Sequence, residues 1–246
     1  MPPNFTPPHL SLRVRLAVLS DLHANLEASE AVFAEAERRN ADAILCLGDV
    51  VGYGPNPSET VELVRERCEV TILGNHDAAV ARDADMQVLP KDGQKAAKLH
   101  QALLSDDQLD WLAALPYTAT VYGTTLAHAA PDQPESWPRL DSFAALQAQF
   151  SCFDTPICFV GHSHKPAVVS NSLGVFQVRP GHRYLIDVGS VGQPRDHDAR
   201  ASFAMYDTEA FTVDIIRVHY DVARTASKIV RRGLPSGLSE RLRRGI

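Results

Sequence analysis

The strongest constraint on this chain is a repeated arrangement, a short run of strand-forming residues that ends abruptly in Asp, His, Asn or Gly. The runs are Leu16–Leu19, Ala43–Leu47, Val70–Leu73, Thr124–Ala127 and Ile157–Val160. They lead into Asp21-Leu22-His23, Gly48-Asp49, Gly74-Asn75-His76-Asp77, His128 and Gly161-His162-Ser163-His164. Short apolar runs bounded by turn-forming residues read as buried β-strands. In an open α/β sheet, ligands bind beyond the carboxyl ends of the strands, where loops gather polar side chains. Each motif alone is compatible with an ordinary turn, since Gly, Asn and Asp are turn residues. Taken in order, they aim Asp, His and Asn at one place.

Helices are expected between the strands. Leu26 to Arg39 carries apolar or small residues at helical spacing. Asn56-Pro57-Ser58-Glu59 reads as an N-cap, a Pro at the first helical position and a capping-box Glu, opening a helix through Arg67. Ser105-Asp106-Asp107-Gln108 reads as a second capping box, and Lys91 to Leu104 as helix. Residues 91–114 thus form a helical insert placed to wall the site. The second half is β-rich, with candidate strands Ala167–Ser170, Val175–Val178, Tyr184–Val188, Ser202–Tyr206 and Thr212–Tyr220, and suggests a second sheet.

The chain has 246 residues, 45% of them hydrophobic, enough for one large core. Its net charge of −6 disfavours general nucleic-acid binding. Phosphate substrates remain compatible, because bound cations reverse the local field. No apolar stretch approaches a membrane span. Cys46 and Cys158 lie inside apolar runs and read as buried free thiols of a reducing cytosol, so a cytoplasmic protein is expected. Residues 1–10 are Pro-rich, lack a signal-peptide pattern and read as a disordered lead-in, leaving 11–246 as a single domain. The stretch 222–246 carries Arg224, Lys228, Arg231, Arg232, Arg241, Arg243 and Arg244 against Glu240 alone. It reads as a solvated helical face, with a phosphate- or partner-binding tail as the alternative.

The order D-x-H, G-D, G-N-H-D, H, G-H-x-H resembles the calcineurin-like metallophosphoesterase superfamily, from about Leu16 to the C-terminus. Gly48-Asp49-Val50-Val51-Gly52-Tyr53-Gly54-Pro55 and Asp187-Val188-Gly189-Ser190-Val191-Gly192-Gln193-Pro194-Arg195 resemble its bacterial branch. Arg217 to Val222 and Leu234-Pro235 resemble a bacterial subgroup that includes diadenosine tetraphosphate hydrolases. The resemblance implies a four-layer α/β/β/α sandwich. It also implies two divalent or trivalent transition-metal ions, drawn from Mn, Fe, Co, Ni or Zn, the borderline ions that suit a carboxylate, imidazole and amide set. It assigns Asp21, His23, Asp49 and His164 to one metal and Asp49, Asn75, His128 and His162 to the other, with Asp49 bridging. The implied reaction is hydrolysis of a small phosphodiester, phosphomonoester or nucleotide by a metal-bridging hydroxide, with His76 as general acid. Asp77 is expected to orient the His76 ring. Asn75, His76, Arg195 and Tyr53 are the expected substrate contacts.

Some positions depart from the family pattern. His128-Ala129-Ala130-Pro131 stands for H-G-S-P, Asp187-Val188-Gly189-Ser190 for N-P-G-S, and His197 for a common Gly. None removes a ligand. The other histidines, His9, His100, His182, His197 and His219, read as surface or loop residues, with His197 held open because its loop resembles an active-site loop. Two alternatives remain. A silent protein-binding scaffold, like the retromer subunit of this fold, should show a degraded ligand set, and this set is complete. A phosphoprotein phosphatase should carry Asp-Arg-Gly after its G-D, and here the stretch is Val51-Gly52-Tyr53-Gly54. The expected partner is therefore a small phosphorylated substrate, with no membrane and with homo-oligomerisation left open.

Overall fold

The protein is described by a computed structural model covering residues 13–82, 86–174 and 177–246. The expected lead-in 1–10 and the first half of the expected strand Val175–Val178 lie outside the described residues. In chain order the elements are β1 (Arg15–Leu19), α1 (Leu26–Arg38), β2 (Ala43–Cys46), α2 (Pro57–Arg67), β3 (Val70–Thr71) and α3 (Asn75–Arg82). Next come α4 (Lys91–Leu103), α5 (Asp106–Ala114), β4 (Thr118–Val121), β5 (Thr124–Ala127), α6 (Phe143–Ala148) and β6 (Ile157–Val160). The chain continues through β7 (Ala167–Ser170), β8 (Tyr184–Asp187), β9 (Ala201–Asp207), β10 (Thr212–Val218), α7 (Val222–Arg231) and α8 (Ser236–Arg244).

Two mixed five-stranded sheets form, in the orders β10-β9-β1-β2-β3 and β4-β5-β6-β8-β7. The expected division into a first-half and a second-half sheet is corrected here. Strands β9 and β10 return to the first sheet, where β9 pairs antiparallel with β1, Leu16 opposite Tyr206. Strand pairing over such a distance leaves no local signal in the sequence. The central strands read as continuous apolar runs because both of their faces are buried. Leu16 and Val18 of β1 point into the inter-sheet core with Leu126, Phe159 and Ile186, while Ala17 and Leu19 point toward Val32, Phe33 and Ala36 of α1. The outer face of the second sheet packs Cys158, Val160 and Leu185 against Phe150, Phe153 and Leu146 of the α6 region. The result is the four-layer α/β/β/α sandwich.

The expected capping box at Ser105 is made, with Ser105 and Gln108 exchanging side-chain and backbone bonds. The one at Asn56 is not. Asn56 Nδ2 donates to Glu59 Oε1 at 2.8 Å, a side-chain pair in place of a backbone cap. The basic stretch 222–246 is a helical hairpin whose buried stripe, Ile229, Leu234, Leu238 and Leu242, packs on Tyr53 and Ala96. Its charged side chains occupy the opposite face, and Lys228 and Arg224 both pair with Glu27. Helical spacing at Ala226 and Ile229 on α7 and at Leu238 and Leu242 on α8 carried this signal, which the charge run obscured.

Candidate metal centre

Strand ends from both sheets meet at one point. The i, i+2 ligand pairs do not lie on strands, where that spacing would put them on one face; they lie in the loops that follow. Asp21 (φ 55°), His23 (φ 48°), Asp49 (φ 52°), His162 (φ 67°) and His164 (φ 61°) all adopt left-handed backbone. Each such non-glycine residue costs about 1–2 kcal/mol, and conformations of this kind cluster at functional sites. Close contact between the strand ends of the two sheets depends on Gly161, where a Cβ would lie 1.9 Å from Ser20 Oγ and 2.6 Å from Asp21 Oδ2.

The ring orientations are fixed from behind. His23 Nδ1 faces the Val51 carbonyl at 3.0 Å, His164 Nδ1 that of Gln193 at 2.5 Å, and His128 Nδ1 that of Leu47 at 2.9 Å. A carbonyl only accepts, so each Nδ1 carries the proton and each Nε2 points inward. His23 Nε2 and His164 Nε2 then lie 3.1 Å apart, lone pair toward lone pair. Asp21 Oδ1 lies 3.2 Å from His164 Nε2 and 3.6 Å from His23 Nε2, buried and with no hydrogen-bond donor. Asp49 Oδ2 stands between the two groups, 3.6 Å from His23 Nε2 and 3.4 Å from His128 Nε2. Its other oxygen, Oδ1, accepts the His76 backbone N–H at the start of α3 at 2.8 Å. Asn75 Oδ1 completes the second group, 3.2 Å from His128 Nε2 and 2.9 Å from His162 Nδ1.

Donor atoms so arranged repel one another unless a positive charge sits among them, and Asp21-His23-His164, His23-Asp49-His76 and Asp21-Asp49-His128 each could hold a metal ion. Burial drives the rings of His164 and His162 down to about 4, so both stay neutral at pH 7. His128 goes the other way. Burial opposes its charge, but Asp49 and Asp21 push it up to about 10. Burial also works against the Asp21 and Asp49 carboxylates, yet the surrounding imidazoles hold both well below their usual range.

A cleft of about 450 Å³ opens over this centre, lined by Asp49, Tyr53, Asn75, His76, His162 and Arg195 among others. The His76 ring is buried, stacked at a tilt on Tyr53 at 4.4 Å and edge-on to His23 at 4.9 Å. Gly52 makes room for it, since a Cβ there would sit 2.5 Å from His76 Nδ1. Burial, with His23, His164 and Arg195 adding to it against Asp49, keeps this ring well below its ordinary value. The Arg195 guanidinium lies 5.6 Å over the Tyr53 ring and donates to Gln193 Oε1 at 2.8 Å.

The hydrogen bond expected between Asp77 and His76 is not made. Asp77 Oδ1 accepts from Val51 N at 3.0 Å and Oδ2 from Gly74 N at 3.1 Å, so it ties the 48–52 loop to the start of α3. Burial and the nearby Asp49 raise its carboxyl to about 8. His100 is also not a surface residue. It is fully buried on α4, accepts from Gly52 N at 3.0 Å through Nδ1 and donates to the Gly54 carbonyl at 2.9 Å through Nε2. Its place on the buried stripe with Ala96 and Ala97 was the available signal. His197 is exposed and donates its backbone N–H to Gly245 rather than lining the cleft. Trp137 and Arg139, which do line the cleft, escaped sequence reading because their loop has no periodicity.

The family model described as a calcineurin-like phosphoesterase superfamily domain matches residues 14–210. The chain belongs to this superfamily. A metallophosphoesterase from Sphaerobacter thermophilus is 35% identical, with a TM-score of 0.84 over 95% of this chain and 99% of that one. An uncharacterized protein of Methanocaldococcus jannaschii is 38% identical over 92% of this chain and 96% of its own length. A symmetrical bis(5'-nucleosyl)-tetraphosphatase of Aliivibrio fischeri is 33% identical over 37% of this chain and 35% of its own. Membership in this family, together with the His and Asp clusters, implies divalent metals.

Proposed function

We propose that the protein is a dinuclear metal-dependent phosphoesterase acting on a small phosphodiester, phosphomonoester or nucleotide. The observation that carries this reading is the convergence of inward-facing Nε2 atoms from His23, His128 and His164 on the carboxylates of Asp21 and Asp49. Asp21, His23, Asp49 and His164 would hold one ion, and Asp49, Asn75, His128 and His162 the other. Bound there, two divalent cations would lower the pKa of an attacking water and neutralise charge on the phosphoryl oxygens.

The chain's own residues do the rest. Tyr53 and Gly52 hold the His76 ring at the cleft wall, where an arriving phosphate anion favours its protonated form, so that it can protonate the leaving oxygen. Arg195, fixed by Gln193 and Tyr53, meets the phosphate from the other side. Asp77 serves this arrangement indirectly, by holding the loops that carry Asp49 and Asn75. Nucleotides lead the natural candidates, since relatives sharing over a third of the chain are bis(5'-nucleosyl)-tetraphosphatases.

The test is turnover of bis(p-nitrophenyl) phosphate and p-nitrophenyl phosphate by Mn-loaded protein. His76→Ala is expected to lower kcat by about 10²–10⁴-fold, the usual weight of a general acid, with both metals retained. Asp49→Asn is expected to lose both metals and all turnover. Wild-type protein that binds no metal and turns over neither ester would overturn the proposal in favour of a scaffold.

A further inference from the structure

Beside the metal cleft lies a second cavity of about 230 Å³, which shares Arg139, His162 and Arg195 with it. The two differ in chemistry. The floor of the second cavity is apolar, built from Ala129, Leu146, Val160 and Leu185, of which Ala129, Val160 and Leu185 are buried. Beyond the three shared residues, four polar side chains interrupt the lining, Asp141, Ser163, Lys165 and Asp187, and Arg139 Nε donates to Asp141 Oδ2 at 3.0 Å. Ser163 Oγ donates to Asp187 Oδ2 at 2.6 Å, and Gly189 N donates to Asp187 Oδ1 at 2.8 Å. Burial pushes the Asp187 carboxyl well above the usual carboxylate range, against the bonds from Ser163 and Gly189, so it meets an incoming polar edge as acceptor or, protonated, as donor. Asp187 is also one of the positions that depart from the family's usual N-P-G-S run.

We infer that this cavity receives the aromatic arm of a phosphorylated substrate, a nucleobase whose hydrogen-bonding edge meets Asp187, while the phosphate lies at the neck between Arg139, His162 and Arg195. Mostly apolar walls with a few placed polar groups are the ordinary makeup of a small-molecule site. Cationic guanidinium groups at the neck suit an anionic linker, and the apolar floor suits a ring. An acyl chain would fill the floor but add no hydrogen bond at Asp187, whose present partners are Ser163 and Gly189. The inference rests on the reading of the adjoining cleft as a phosphoester site. It adds which ester arm the protein selects.

The test is calorimetric binding of AMP, ribose 5-phosphate and hexyl phosphate to the Mn-loaded full chain. The three share a phosphate monoester and differ in the arm. AMP is expected to bind at least about tenfold more tightly than either of the others, tenfold being 1.4 kcal/mol. Ala167→Trp places an indole at the cavity wall from an exposed position on the edge strand β7 and is expected to bring the AMP to ribose 5-phosphate ratio close to one. Equal binding of AMP and ribose 5-phosphate by the unaltered protein would overturn the inference, as would hexyl phosphate binding as tightly as AMP. An AMP preference that survives in a folded Ala167→Trp variant would overturn it too. Turnover of bis(p-nitrophenyl) phosphate is scored separately. Turnover without an AMP preference sinks the cavity assignment alone, and an AMP preference without turnover sinks the phosphoesterase reading alone.

Discussion

The two halves of the proposed centre share Asp49 but are built differently. In the half formed by Asp21, His23 and His164, every side chain is at most 3% exposed and both rings are locked by backbone carbonyls. In the half formed by Asn75, His128 and His162, only His128 is locked in this way. His162 is half-buried, lines both cavities and has Asn75 Oδ1 as its ring partner. The first half is the more deeply buried, with His164 reaching the cleft wall. The second half presents the half-buried His162 to both cavities. Preorganisation of this kind lowers the cost of ordering ligands on binding, so the first half should hold its ion more tightly.

His164→Ala should break the comparison most severely. It removes a candidate ligand from the more buried half and is expected to weaken metal there by more than the ~100-fold seen for supporting residues. Metal content after dialysis, read by plasma mass spectrometry, checks this. His162→Ala should cost less, about 10–100-fold and at the second ion only. An equal loss in both variants would erase the proposed asymmetry.

Proton counting sharpens the same contrast. At pH 7 the His164 ring is already neutral, whereas His128, pushed up to about 10, must give up its proton to coordinate. Coordination by His164 should therefore release almost no proton, and coordination by His128 about one. Mn titrations in two buffers of different ionisation enthalpy would show it. Affinity at the second half should also rise with pH between about 7 and 10.

An effect on stability rather than on metal binding lies just behind the centre, at His100. Its ring is driven by burial down to about 4 in the folded chain, while in the unfolded chain it titrates near 6.5. The unfolded state therefore takes up the proton first as pH falls, and stability drops between about pH 6.5 and 4. His100 contributes on the order of 3 kcal/mol across that window. Replacing it with Gln, which can still accept from Gly52 N, should flatten the acid limb of the urea midpoint measured without metal. An unchanged limb would show that the ring is not titrating there.

The convergence of these side chains was legible in the sequence because the candidate ligands sit directly after strands, where apolar runs mark the strand and polar residues mark its end. The helices announced by Ser105 and by the Leu26 stripe were legible for similarly local reasons. Asp77 was misread because a carboxylate beside a His in sequence need not face it. At the start of α3 it turns back to the N–H groups of Gly74 and Val51. The cavity behind His162 was invisible because β6, β8, α6 and the 138–141 loop, far apart in sequence, line it together.

The return of β9 to pair with β1 has a consequence for how the chain emerges during synthesis. Until residues near Tyr206 have left the ribosome, β1 has one unpaired edge, a row of free N–H and C=O groups flanked by apolar side chains. Contacts of such long sequence separation form slowly. A nascent chain that already carries its whole imidazole set through His164 is therefore still an open-edged intermediate. It is at that stage, rather than in the finished fold, that this protein is most exposed to aggregation and most in need of a chaperone.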